Sequence, residues 1–213
     1  MPVIGVCNQK GGSGKSSTAV HLATWLTSQS KSVFVVDSDG QRTSSIWLGS
    51  LNKPIPCEVI ADPNELLERL PLLATEHEWL IVDAPGTLAE ASRAIVLWSD
   101  LVVIPCQPTG VDLASASDTV RLVKQARAIR KGEPKAVIFL NRAIKGTRLK
   151  QEALKVLKSL DGIHVLSEVV HQRQVIADAF GQGATVFDLT GDPATESQRE
   201  YSQLFKTILK VLV

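Results

Sequence analysis

Short apolar runs rich in β-branched residues recur along the chain, at 3–8, 32–37, 79–83, 101–105, 136–141 and 163–170. Between them lie stretches with helical spacing of apolar positions, at 16–28, 64–74, 112–130, 149–160 and 195–212. In the first of these, Val20, Ala23, Trp25 and Leu26 fall on roughly one face. The strand-like runs are apolar throughout rather than alternating, as expected of strands covered on both faces. Strands alternating with helices predict right-handed crossovers and an α/β fold, a doubly wound, mostly parallel sheet with helices on both faces. Ligands of such sheets bind beyond the carboxyl ends of the strands. The segment 52–56, with Pro54 and Pro56, reads as a surface loop, and 181–183 and 191–193 read as turns before the last helix.

The chain has 213 residues, of which 44% are hydrophobic, enough for a single domain, 1–213, with a sizeable core. Charged residues make up 21% and the net charge is +1, a composition that does not suggest disorder. The three cysteines, Cys7, Cys57 and Cys106, have no metal-ligand spacing and read as buried reduced thiols of a cytosolic protein. Val3-Ile4-Gly5-Val6 starts the pattern directly, without a secretory signal, and no apolar run reaches the ~18 residues of a membrane span. The expected location is the cytoplasm.

After the first strand comes Asn8-Gln9-Lys10-Gly11-Gly12-Ser13-Gly14-Lys15-Ser16-Ser17, and then a helix. Gly11, Gly12 and Gly14 let the backbone wrap a phosphate with its N–H groups inward, Ser13 and Ser17 complete the cradle, and the helix N-terminus adds positive potential. Lys15 is placed to reach the β- and γ-phosphates of ATP, and the Ser16 hydroxyl to ligate Mg²⁺. The general phosphate-loop pattern asks for glycine five positions before Gly14; Gln9 stands there, with Lys10 beside it.

The arrangement Lys-Gly-Gly-x-Gly-Lys-Ser/Thr is the deviant Walker A motif, and over nearly its whole length the sequence resembles the ParA/MinD family of ATPases, the short plasmid-partition ParA type above all. The resemblance implies that Lys10, otherwise an exposed loop charge, is the signature lysine that reaches the partner's ATP across a homodimer. Asp37-Ser38-Asp39-Gly40-Gln41 resembles the family's switch I motif, which implies that Asp39 positions the attacking water and Asp37 supports the Mg²⁺ shell. Gly40 stands where the family usually has proline. Read from the residues alone, Asp37 and Asp39 are i and i+2 on a strand end and face one side, which favours a nearby cation. Asp83, ending Leu80-Ile81-Val82-Asp83, fits a Walker B aspartate contacting Mg²⁺. Lys10, Lys15 and Asp39 thus form the expected catalytic set. His21, His77, His164 and His171 sit in unrelated places and suggest no catalytic triad. Asn141 follows the fifth expected strand, where the family holds adenine; it pairs with the base or simply ends a strand.

Between Arg121 and Lys158 lie twelve basic and two acidic residues. Helix charges often mark only a solvated face. An excess this large suits nucleic-acid phosphates, and without interleaved aromatics or a recognition-helix motif it suits them non-specifically. Arg121, Lys124, Arg127, Lys145, Arg148 and Lys150 are the expected DNA contacts, with Arg173 added by its resemblance to partition proteins. The last helix, amphipathic but weakly basic, reads as core-packing rather than a membrane anchor. With the phosphate-loop strand opening at Val3, no N-terminal helix-turn-helix and no operator binding are expected. The resemblance implies an ATP hydrolase, slow and partner-stimulated, that forms an ATP-dependent dimer and associates with the nucleoid. With a ParB-like adaptor it would position a cargo: a plasmid, a chromosome origin or a protein organelle such as a carboxysome. A MinD-like membrane-associated regulator is the alternative. An iron–sulfur or synthetase relative would need ligand cysteines or an added substrate domain.

Overall fold

A computed structural model describes residues 2–87 and 90–212. Seven strands form one sheet: β1 (Val3–Val6), β2 (Val33–Asp37), β3 (Cys57–Val59), β4 (Trp79–Asp83), β5 (Leu101–Cys106), β6 (Lys135–Ala143) and β7 (His164–His171). Their order is β3-β2-β4-β1-β5-β6-β7, and every neighbouring pair is parallel. The helices are α1 (Lys15–Ser28), α2 (Thr43–Ser50), α3 (Pro63–Glu76), α4 (Glu90–Trp98), α5 (Gly110–Ile129), α6 (Arg148–Lys158), α7 (Gln174–Ala179) and α8 (Asp192–Leu212).

Each sheet face carries its own core. On one, Leu66, Leu70 and Leu73 of α3, Ile95 of α4, Val123 of α5 and Leu157 of α6 pack against Val36, Val82 and Ile104 of the strands. On the other, Val20 and Leu22 of α1, Trp47 of α2 and Tyr201, Phe205 and Ile208 of α8 pack against Ile4, Val35 and Phe139. This is the doubly wound architecture that the uniformly apolar strand runs imply. The apolar stripe of α8 lies in that second core, as expected of a core-packing helix. No helix among the described residues is long and apolar enough to cross a membrane.

All six expected strands and all five expected helices form, and β3, α2, α4, α7 and a short 3-10 helix at Phe180–Gln182 are added to them; the expected turn at 191–193 instead holds the start of α8 at Asp192. The loop at 52–56 is present, and β3 follows directly as a three-residue edge strand. Local chemistry fixes the helix starts. Asp62 caps α3 by accepting from the amides of Asn64 and Glu65, with Pro63 at the first helical position. Thr109 and Thr147 cap α5 and α6 in the same way.

Register sets up the site. Val6 of β1 lies beside Asp83 of β4 and Val103 of β5, and Asp37 of β2 beside Asp83, so the carboxyl ends of β1, β2 and β4 share one edge.

Candidate nucleotide site

Residues 7–14 carry the chain from the end of β1 into α1. Gly12 and Gly14 adopt left-handed backbone, at φ +78° and +95°. A Cβ on Gly14 would come within 2.0 Å of the Asn141 amide nitrogen, so glycine is required twice over there. The loop carbonyls are taken up from outside. Asn141 Nδ2 donates to Ser13 O at 2.9 Å, and Gln107 Nε2 and Arg142 Nη1 donate to Gly12 O at 2.7 and 3.2 Å. The Gly14 carbonyl receives the Thr18 hydroxyl and amide. With the carbonyls held outward, the amides of Gly11 through Ser17 have no acceptor among the described residues, and the buried Ser13 hydroxyl has none either. A row of unpaired N–H groups at a helix N-terminus is an anion cradle.

Lys15 is 5% exposed, and its ammonium rests on the Lys10 carbonyl at 3.1 Å. Burial lowers its pKa, opposed by the charges of Asp83 and Asp39. Asp83 is fully buried, and burial pushes its carboxyl up to about 7. The hydroxyls of Ser16 and Ser44 act against that rise, Asp37 adds to it and Lys15 opposes it. Asp83 Oδ2 accepts from Ser44 Oγ, while Oδ1 is buried without a partner.

Asp37 and Asp39 differ from the expectation of two carboxylates on one strand face. The strand ends at Asp37, so strand periodicity does not extend to Asp39. Asp37 is buried and accepts from the amides of Asp39 (3.1 Å) and Ser45 (2.8 Å). Asp39 lies in the following turn, half-buried, and accepts from the Gln41 amide at 2.9 Å.

Lys10 does not point freely into solvent. Its Nζ lies 2.6 Å from Oδ2 of Asp112, a fully buried residue in the first turn of α5 that also receives the Thr109 hydroxyl. Asn8 supports this latch. Its amide donates to Pro105 O, and its oxygen accepts from Ser115 Oγ and the Lys10 amide. Asp112 and Asn8 carry no motif signal; Asp112 reads in sequence as an ordinary first-turn acid.

Beside the loop a cavity of about 390 Å³ is bordered by Gly14, Ser17, Trp47, Asn141, Phe180 and Tyr201, a volume within the range of small-ligand sites. His21 stacks on Tyr201 beneath it, 4.5 Å between ring centroids. The His21 ring bonds Ser17 O and accepts from the Val186 amide, and burial lowers its pKa to about 4. Asn141 lines the cavity, but its side chain is already committed to Ser13 O and the Arg142 amide.

The basic residues divide. Arg148 and Lys150 form no ion pair among the described residues, and Arg121 and Lys124 are exposed with single carboxylate neighbours, Asp118 and Asp161. Lys145 pairs with Glu196 at 2.8 Å. Two residues depart from the expectation of a DNA surface. Arg127 bonds the carbonyls of Pro134 and Gly162, and so holds loops together. Arg173 is 10% exposed, gripped by Glu196 and Glu200 at 2.6–2.8 Å, and borders the cavity.

"Maintenance of carboxysome distribution protein A" of Halothiobacillus neapolitanus is 26% identical over 212 residues, covering 97% of this chain and 95% of its own. The structure of a Cyanothece McdA variant in complex with ATP superposes with a TM-score of 0.82 at 16% identity, over 99% of this chain and 96% of that one. The cell division ATPase MinD of Pyrococcus furiosus gives 0.77 at 18% identity, over 99% of both chains. These two likenesses show a shared fold. Residues 4–186 match the family described as the CobQ/CobB/MinD/ParA nucleotide binding domain, and the chain belongs to that family.

Proposed function

We propose that the protein is a positioning ATPase of the ParA type, which binds Mg-ATP in the loop 10–17, pairs with a second copy around the nucleotide and then holds non-specific DNA. The observation that carries this reading is the row of unpaired amides from Gly11 to Ser17, with the Lys15 ammonium resting on the Lys10 carbonyl beside it and a second lysine, Lys10, held by Asp112. The amides and Lys15 hold the β- and γ-phosphates, the cavity takes the nucleoside, and Asp39 orients the attacking water. Ser16 and Asp83, with Asp37 behind them, fit Mg²⁺. They offer hard oxygen donors, and the buried Asp83 Oδ1 lacks a partner. Held by Ser16 and Asp83, an ion there would supply positive charge to neutralise what develops on the phosphate oxygens. Lys10 leaves Asp112 to reach the partner's phosphates. Similarity along nearly the whole chain to a protein named for carboxysome distribution supports positioning of a bulky cargo, a plasmid, chromosome origin or protein organelle, through an adaptor protein. A nucleoid-associated protein in the cytoplasm fits this reading.

The proposal is tested by binding to unrelated duplex DNA with ATP, ADP and no nucleotide across a salt series. Binding only with ATP, insensitive to sequence and falling steeply with salt, is the expected result. Reversing Arg148 and Lys150 to glutamate should weaken it about tenfold or more. Absence of DNA binding in every state overturns the DNA part of the proposal, and liposome binding then tests the MinD-like reading.

The raised Asp83 carboxyl gives a pH dependence. A metal ligand must be deprotonated, so ion binding releases a proton wherever Asp83 is still protonated. Mg²⁺ affinity in the presence of ATP should rise with pH up to about 7 and level off above it. Isothermal titration at pH 6 and pH 8 checks this; equal affinities contradict the assignment of Asp83.

A further inference from the structure

We propose that Ser44 is a positioning residue for the metal site: its hydroxyl fixes the Asp83 carboxylate so that Oδ1 is the oxygen presented to the ion. The inference rests on the Mg-ATP reading of the same site and adds to it a residue that no motif indicates.

Ser44 is the second residue of α2 and is fully buried. Its Oγ donates to Asp83 Oδ2, and the next amide, that of Ser45, donates to Asp37 Oδ2 at 2.8 Å. One turn of α2 therefore grips both strand-end carboxylates that lie side by side in the sheet register. The terminal torsion of an aspartate is broad and roughly two-fold, so a carboxylate bonded at neither oxygen has no preferred face. A hydrogen bond to Oδ2 removes that freedom and leaves Oδ1, the buried oxygen without a partner, as the ligand atom.

Two features make the grip rigid. Arg42, immediately before α2, holds a left-handed backbone at φ +54°, uncommon for a residue with a side chain, and it turns the chain so that Ser44 and Ser45 meet the carboxylates. Further along α2, Trp47 Nε1 donates to Ala184 O at 2.8 Å, and its ring meets His21 and Phe180 edge-on. The helix is thus pinned at the metal end by Ser44 and Ser45 and at the cavity by Trp47.

Outer hydrogen-bond partners of metal ligands typically change metal affinity by roughly 10–100-fold when removed. The test uses Ser44→Ala, and Ser44→Cys, which keeps the shape of the side chain at a slightly larger size but donates weakly. Mn²⁺ binding in the presence of ATP is followed by electron paramagnetic resonance of the free ion. Binding of methylanthraniloyl-ATP in EDTA is measured in parallel. The expected result is about tenfold weaker Mn²⁺ binding in both variants, with metal-free nucleotide affinity within about twofold of the parent. Parental Mn²⁺ affinity in either variant overturns the inference and leaves the Mg-ATP reading standing. An equal loss with and without metal overturns it as well, since Ser44 would then shape the fold rather than the ion site. If the parent protein binds neither nucleotide nor Mn²⁺ with nucleotide, the Mg-ATP reading itself fails, and this inference with it.

Discussion

Replacing Lys15 with alanine should weaken ATP binding by roughly 100-fold or more while leaving the fold at least as stable. Lys15 is nearly buried, and burial lowers its pKa, so the fold bears a desolvation cost to hold this charge. Such a cost is retained where it serves binding. A charge-assisted contact to phosphate is worth about 1.5–3 kcal/mol. Lys15 faces two phosphates in the proposed complex, so affinity should fall by roughly 100-fold or more. Thermal unfolding without nucleotide should show an unchanged or higher midpoint, because the desolvation of the buried ammonium outweighs its bond to the Lys10 carbonyl and the pull of Asp83 and Asp39. The Asp83 carboxyl, deprived of its cationic neighbour, is then held more firmly in its neutral form. ATP binding at parental strength in Lys15→Ala contradicts the assignment of the loop; a collapse of the fold contradicts the account of its burial.

Changes at Lys10 and Asp112 should have opposite effects on self-association. In the single chain Lys10 is bonded to a fully buried carboxylate. Breaking a buried ion pair typically costs 3–5 kcal/mol, but the Lys10 side chain is 35% exposed, so about 1–2 kcal/mol is the better figure. Lys10→Ala should therefore lower stability by about that amount and remove the group proposed to reach the partner's phosphates. With ATP it should remain a monomer at concentrations where the parent pairs. Asp112→Asn keeps the shape and removes the charge that restrains Lys10. If the restraint is worth about 1 kcal/mol in each protomer, the ATP dimer should form at roughly 30-fold lower concentration. Sedimentation velocity with Mg-ATP measures both. A Lys10→Ala protein that pairs normally removes the trans role, and an Asp112→Asn protein that pairs no more readily removes the restraint.

Much of this was legible in the sequence because the signals are local. The phosphate loop is one contiguous stretch whose glycines are demanded by backbone geometry, and the central strands were visible because burial on both faces leaves few polar positions in them, whereas the edge strand β7 carries His164, Ser167 and Glu168. The missed elements lack such signals. The α2 segment Thr43-Ser-Ser-Ile-Trp-Leu-Gly-Ser50 has no apolar period to read, and β3 has only three residues at a sheet edge. The partners of the loop were invisible for another reason: Asp112 stands 102 residues from Lys10, and Asn141 stands 128 residues from Ser13. Only the sheet order brings them together. Charge counting misled for Arg127 and the resemblance for Arg173, because neither reveals that one holds two carbonyls and the other two glutamates. The strand rule applied to Asp37 and Asp39 failed because the strand ends between them.

The central claim is that ATP, and not ADP, converts the single chain into a pair through Lys10. Sedimentation velocity of the parent protein with Mg-ATP, Mg-ADP and no nucleotide tests it most directly. The account predicts a species of twice the mass with ATP alone, reverting to the single chain as the nucleotide is hydrolysed. A single-chain mass in all three conditions, or the same dimer in all three, contradicts it.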